Sequence, residues 1–378
     1  MEDSMDLDNF EPVARIVVIG VGGAGTNAVN RMMDEHIDNV EFYVLNTDKQ
    51  ALATSKAPNR IVIGEEITKG LGAGGNPETG KKAALASKDK IRQIVEGANM
   101  VFIAAGMGGG TGTGAAPVIA QIAKEAKCLT IGIVTRPFTF EGKTRIANSV
   151  AGLSELKEAV DSIIIVSNDK LLMASGNKPI SKAFEESDKV LAQSVKTVTD
   201  LILLPAVINL DFADVQSTLK GSGIALIGFG LGTGPRKAAD AAESAISSPL
   251  LEASISGARR AICAVTCGLN VSLYEAEECV NRIIEQAGNT IDIKFGVSIN
   301  ENLDDMILVS VIASDFTEEY DFTSIPSFTP RRPEPIAEET GAKDEPQEFG
   351  DKAEDEEGEG HYNSILPNFL KGKLGNKQ

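Results

Sequence analysis

Short, mostly apolar runs alternate with amphipathic stretches through the first half of this chain. Residues 16–20 and 100–105 are apolar throughout, as strands of a parallel sheet are when helices cover both sides, and 40–45, 128–134 and 163–166 also read as strands. Between them, helical spacing is expected up to Met33, over 78–96, from Ala115 onward and over 144–159. This rhythm predicts an α/β, Rossmann-like parallel sheet with ligands at the strand C-terminal ends. A single long helix is expected over 181–204, with Phe184, Leu191, Val195, Val198 and Ile202 on one core-facing stripe. Asp188 lies one turn from Phe184 and Leu191, close to that apolar face. A carboxylate there is either solvated or turned to a polar ligand.

The pattern then changes. Strands are expected at 224–229 and 261–266, and helices at 236–247 and 273–286. Residues 291–299 and 306–313 read as strands paired around Asn300-Glu-Asn-Leu-Asp304. This is a smaller α+β unit. Beyond it prolines recur, and between Pro333 and His361 there are twelve acids against two lysines. Such a stretch cannot bury enough apolar surface to fold, and it extends by self-repulsion. The last seventeen residues carry no acid. Ile365, Leu366, Phe369 and Leu370 share one helical face there, followed by Lys371 and Lys373. An apolar, basic plug on an acidic tether reads as a docking peptide for a partner groove, or else for an anionic membrane surface. The expected divisions are therefore a flexible 1–12, a nucleotide-binding domain 13–180, a central helix 181–204, a C-terminal α+β domain 205–317, a disordered linker 318–361 and a docking peptide 362–378.

Composition narrows the chemistry. A net charge of −18 and an absence of Trp argue against nucleic acid as a partner. The four cysteines, 128, 263, 267 and 279, form no CxxC pair and lie far in sequence from His36 and His361, so no zinc site is expected. Buried free thiols in a reducing cytosol are expected instead. No run nears membrane-spanning length, and the acidic N-terminus lacks the apolar core of a signal peptide.

Three glycine loops carry the candidate chemistry. The first, Gly20-Val-Gly-Gly-Ala-Gly-Thr-Asn27, contains G-x-G-x-x-G after a strand. A second strand ends in Asn46-Thr-Asp48, and Asp48 could hold a ribose hydroxyl. Read alone, these features suit a nicotinamide-dependent dehydrogenase. The second loop is Gly70-Leu-Gly-Ala-Gly-Gly-Asn-Pro77. The third is Gly106-Met-Gly-Gly-Gly-Thr-Gly-Thr-Gly114. Glycine lets backbone N–H groups crowd around an anion, and a helix start adds unpaired donors. A dinucleotide needs only the first loop, whereas three suit a triphosphate. No G-x-x-x-x-G-K-[ST] is present, so this is not a P-loop enzyme. Glu141 and Arg145, four apart, are either a surface ion pair or part of the site. Far along, Asn209-Leu-Asp-Phe-Ala-Asp214 sets two acids three apart, either as a helix N-cap with an acid in the first turn or as groups that handle water.

The third loop and the Asn209–Asp214 loop together, with the long helix and Asn46-Thr-Asp48, resemble the FtsZ family of bacterial tubulin-like division GTPases. The resemblance covers residues 13–316 and resumes in the terminal peptide. It implies GTP or GDP as ligand, cradled by Gly22, Gly23, Ala24, Gly25, Thr26 and Asn27 and by Gly108, Gly109, Gly110, Thr111 and Gly112. It places Ala73, Gly74 and Gly75 near the γ-phosphate. Asp48, Thr135, Glu141 and Arg145 are implied around the nucleotide, and Asn168, Phe184 and Asp188 at guanine. It implies that Asp211 and Asp214, helped by Asn209, act on the nucleotide of the next subunit in a head-to-tail homopolymer, with Mg²⁺ on the phosphates and no protein metal site. The tail peptide, centred on Ile365, Leu366, Pro367, Phe369, Leu370 and Lys371, is implied to bind membrane-tethering division proteins. The setting implied is the cytoplasm, at the mid-cell ring. Plasmid-segregating or cell-shape relatives are the alternative roles.

Overall fold

The computed structural model describes residues 14–317 apart from 38, 176–178, 205, 249–253 and 289. The expected linker 318–361 and docking peptide 362–378, with Ile365 to Lys371, lie outside the described residues, as does 1–12.

The chain runs β1 (Ile16–Val21), α1 (Gly22–Asp34), β2 (Val40–Asn46), α2 (Lys49–Ala53), β3 (Asn59–Val62), α3 (Glu65–Thr68), α4 (Pro77–Ala86) and α5 (Lys88–Val95). It continues through β4 (Met100–Gly106), α6 (Thr111–Glu125), β5 (Leu129–Arg136), α7 (Lys143–Ala159), β6 (Ser162–Ser167), α8 (Asn168–Ser175) and α9 (Ile180–Leu203). Then come α10 (Phe212–Leu219), β7 (Gly223–Gly232), α11 (Lys237–Ile246), β8 (Ala258–Cys267), α12 (Leu273–Ala287), β9 (Asp292–Ile299) and β10 (Ile307–Phe316).

All ten strands form one sheet, in the order β3-β2-β1-β4-β5-β6-β7-β10-β8-β9. From β3 to β7 every pairing is parallel. Alternate residues of β1 and β4 serve opposite faces. Val18 and Phe102 pack with α1 and α9, while Val17, Val101 and Ile103 pack with α4 to α7. The strand order reverses direction between β1 and β4, which is where such a sheet opens a crevice at its C-terminal edge. In β7, Gly223 to Ala225 pair with β6, and Leu226 to Gly232 pair antiparallel with β10. One strand thus carries the sheet from its parallel part into its antiparallel part.

Several expectations are corrected. Residues 78–96 are not one helix. Ser87 leaves helical geometry, and its hydroxyl accepts from Gly64 N–H at 3.0 Å, so the chain divides into α4 and α5. Helix α6 begins at Thr111 rather than Ala115 and holds Pro117 inside it. The strands β9 and β10 are not partners, because β8 lies between them. Strand β10 is buried along most of its length and needs neighbours on both sides, whereas β9 carries Asp292 and Lys294 and takes the edge. Phe184 leaves the core stripe at 42 % exposure, while Leu191, Val195 and Val198 are fully buried.

All four cysteines are buried free thiols. Burial pushes Cys267 up to about 11 and Cys279 up to about 12, which keeps them protonated and unreactive. Among the described residues no helix is long and apolar enough to cross a membrane.

Helix α11 lies directly on β7. A Cβ at Gly230 would fall on the Ala241 carbonyl oxygen and 2.5 Å from Ala245 N. Gly230→Ala should therefore force the helix off the sheet and lower stability by about 1–3 kcal/mol. Urea unfolding checks this, and an unchanged midpoint would show that α11 adjusts freely.

Candidate functional site

The candidate phosphate floor lies where β1 and β4 end side by side, with Val21 paired to Ala105. Each strand turns straight into a helix. Neither α1 nor α6 has a side-chain cap, and neither has an acid in its first turn. Asp48 caps α2, Asn76 caps α4, Asp211 caps α10 and Ser272 caps α12, while α7 and α9 share the bare start of α1 and α6; what sets α1 and α6 apart is that their starts lie side by side. Two helix starts with unpaired N–H groups are an anion site, because both dipoles favour negative charge at the same place. They are brought together by missing side chains: a Cβ on Gly22 would stand 2.8 Å from Gly112 N, and one on Gly106 would stand 2.6 Å from Ala24 Cβ.

The glycines divide into two kinds. Gly110 is a packing position, since its Cβ would stand 2.8 Å from Ala73 Cβ. Gly108 is another: it has φ +110°, a Cβ there would meet the Arg145 carbonyl oxygen at 2.8 Å, and its N–H donates to Thr113 Oγ1 at 2.8 Å. At Gly23, Gly74, Gly75 and Gly109 an added Cβ would meet nothing within 4 Å. The backbone at these four positions is open to a ligand such as a polyphosphate. Asn148, which sequence reasoning did not single out, draws two loops together. Its amide donates to the carbonyls of Gly75 and Gly108 at 3.4 and 3.5 Å.

Other expected residues have local duties. Thr111 Oγ1 shares a 2.7 Å hydrogen bond with Thr47 Oγ1. Thr26 donates to Gly22 O at 2.8 Å. The Asp48 carboxylate accepts from Gln50 N–H at 2.8 Å as a helix cap. Thr135 is buried, and its carbonyl accepts from Met107 N–H at 2.9 Å, fixing the base of the third loop. Asn27 is exposed on the first turns of α1.

A second cluster stands at the start of α9. The exposed Phe184 ring meets Phe138 edge-on at 5.0 Å, and Phe138 stacks on Phe140 at 4.9 Å. Asn168, buried at the start of α8, accepts from Ser187 Oγ at 2.7 Å, beside Asp188. Burial pushes the Asp188 carboxyl up to about 7, with Arg31 opposing the rise and Glu185 adding to it. An apolar ring beside an amide and a carboxyl can hold a flat, hydrogen-bonding base. Glu141 lies on the loop after β5, where Oε1 accepts from Phe138 N–H at 2.9 Å and Oε2 pairs with Arg145. Thr139, on the same loop, is held by Asp169 of α8, which accepts from its N–H at 3.0 Å.

The acidic loop is elsewhere. Helix α9 has 24 residues. Asp188 is near its start, and the acidic loop follows its end, ~23 Å further along the axis at 1.5 Å per residue. Within one chain, the acids and the base cluster therefore do not meet. Val207 and Ile208 N–H donate to Val297 O on β9 at 2.8 and 3.1 Å, and buried Leu210 anchors the loop in the core. The Asn209 side-chain carbonyl closes the turn by accepting from Ala206 N–H at 2.6 Å. Asp211 and Asp214 form a reciprocal capping box: Asp211 Oδ1 accepts from Asp214 N–H at 2.8 Å, and Asp214 Oδ2 accepts from Asp211 N–H at 3.2 Å. The helix-cap reading therefore holds. Asp214 is also held below the usual carboxylate range, first by Lys294 and then by the Asp211 N–H. Lys294 gives no sign in the sequence, standing 80 residues away. Among the described residues no group of three or more His, Cys, Asp or Glu gathers to hold a metal alone.

Residues 15–176 match the model for the GTPase domain of the Tubulin/FtsZ family, and residues 223–317 match that for the C-terminal domain of the FtsZ family. The structure is similar to that of an empty FtsZ dimer from M. jannaschii, at 40 % identity and a TM-score of 0.76, over 80 % of this chain and 88 % of that one. It shares its fold with CetZ1 from Haloferax volcanii, a GDP-bound monomer, at 22 % identity and a TM-score of 0.70, over 80 % of this chain and 95 % of that one. The same holds for CetZ2 from that organism, a GTPγS-bound protofilament, at 22 % identity and a TM-score of 0.69, over 79 % and 92 %.

Gly109 has open space where a side chain would stand and a φ open to any residue. Gly109→Val should abolish nucleoside triphosphate binding in calorimetry while leaving the melting temperature within about 2 °C of the unaltered chain. Retained binding would place the phosphates elsewhere.

Proposed function

The chain belongs to the FtsZ family, and on that footing we propose that it is a GTPase that assembles head to tail and hydrolyses GTP at the contact between subunits. In this reading the triphosphate lies on the N-termini of α1 and α6. Gly74 and Gly75 close over its end, and Glu141 and Arg145 flank the sugar and phosphates. Guanine lies against Phe184 with Asn168 and Asp188, since a carboxylate can accept from the guanine N1–H and N2 amino group together. Asp211 and Asp214 of the next subunit orient and polarise the attacking water, assisted by Asn209. The water oxygen bonds to the γ-phosphorus, the bond to the β–γ bridging oxygen breaks, and the water proton leaves toward the acids, giving GDP and phosphate. Mg²⁺, when bound, would neutralise phosphate charge.

The observation that carries the reading is the length of α9 between the base cluster and the acids. Groups held at opposite ends of that helix in one chain can be brought together across a stacked pair. Such a heterologous contact does not close, so it propagates as a filament. The FtsZ dimer from M. jannaschii is a self-associated relative. The dehydrogenase alternative leaves the Gly70–Gly75 and Gly108–Gly112 loops without a role. A place in the division ring, in the cytoplasm, with the 362–378 peptide held by membrane-tethering partners, completes the proposal.

Turnover per subunit should rise with protein concentration through a threshold, and Asp211→Ala should still bind GTP while hydrolysing it about 10²-fold more slowly or worse. Phosphate release strictly proportional to protein down to high dilution would sink the shared site. Loss of GTP binding in Asp211→Ala would return Asp211 to a purely structural cap.

A further inference from the structure

The two acids of the loop are not equivalent. Both oxygens of Asp214 are engaged: Oδ2 accepts from Asp211 N–H at 3.2 Å, and Oδ1 accepts from Lys294 Nζ at 2.9 Å. Lys294 also donates to Ser217 Oγ at 2.5 Å, one turn further along α10. Asp211 uses only Oδ1, for the Asp214 N–H, and among the described residues Oδ2 takes no hydrogen bond. Lys294 lies on β9, the strand to which Val207 and Ile208 are bonded through Val297. The same edge strand therefore holds both the backbone of the loop and one of its acids.

We propose that Lys294 is a positioning residue that divides the labour of the acidic loop, fixing Asp214 as a neutralised frame and leaving Asp211 Oδ2 as the oxygen that meets the attacking water. The inference rests on the shared-site reading above. Its physical reason is charge. Two carboxylates at one helix start, approaching a triphosphate, repel it and each other. One ammonium on Asp214 offsets one of those charges and holds the capping box in a single geometry. The neighbouring charged groups do not substitute for it. Asp211 is itself an acid, and Arg260 on β8 is tied to Asp315 at 3.2 Å and to the Ser217 carbonyl.

The test measures GTP turnover by the full chain against protein concentration and against pH, for the unaltered protein, Lys294→Met and Lys294→Arg. Binding of GTP at the distant floor and thermal melting report that each variant is folded, and Lys294→Gln is a second neutral variant should Lys294→Met not fold. The pair is partly exposed, so loss of the charge should raise the threshold concentration about two- to fivefold and lower turnover above it. Lys294 holds Asp214 below the usual range, so removing it lets that carboxyl protonate at higher pH. The acid limb of turnover should therefore move to higher pH in Lys294→Met and return in Lys294→Arg. Coincident curves for Lys294→Met and the unaltered chain, with a threshold present in both, would overturn the role of Lys294 alone. So would equal impairment of Lys294→Met and Lys294→Arg. No threshold in the unaltered chain would overturn the shared site and this inference with it.

Discussion

Two helix N-termini standing side by side without side-chain partners impose a demand that the rest of the molecule is arranged to meet. Unpaired N–H groups and aligned dipoles ask for an anion. The placement follows from the parallel pairing of β1 and β4, which ends both strands at the same level. It also needs backbone to pass close to backbone. A Cβ on Gly25 would fall on the Ala104 carbonyl and one on Gly20 on the Gly25 carbonyl, so α1 can lie against the sheet only because both are glycine. Asn148 and Ala73 then draw the other loops to the same floor.

Helix α9 is the second constraint. Its middle is fixed in the core through Leu191, Val195 and Val198, while its first turns carry Phe184 and Asp188. The loop that follows it is fastened to β9 and given its two acids by a capping box. One helix thus holds the end that bears Phe184 and Asp188 apart from the end that leads to the acids. In our reading that separation makes assembly a condition of hydrolysis, since neither end suffices without a neighbour.

Much of this was legible because it is local. Strands buried on both faces read as continuous apolar runs, and the glycine loops betray themselves by spacing. The capping box is written in Asp211 and Asp214, three apart. What stayed hidden depends on partners far away in sequence. Ser87 breaks a helical pattern because Gly64 needs an acceptor there. The adjacent strands β9 and β10 look like a hairpin, yet the buried β10 takes β8 as its second neighbour. Phe184 has helical spacing with the core but turns its ring to Phe138. Lys294 reads as an ordinary edge-strand charge until Asp214 is found beside it. Asp48 and Thr26 lie in the expected loops, yet their side chains also serve the backbone around them.

The central claim is that one active site needs two chains, and mixing two disabled chains tests it most directly. Gly109→Val keeps its acids but places a side chain in the candidate phosphate site. Asp211→Ala keeps that site but lacks the acid. Combined at equal amounts and supplied with GTP, the two should release phosphate well above the sum of their separate rates, because the acid loop of one completes the nucleotide site of the other. A mixture no more active than that sum, although the two chains co-sediment, would contradict the account and place hydrolysis within a single chain.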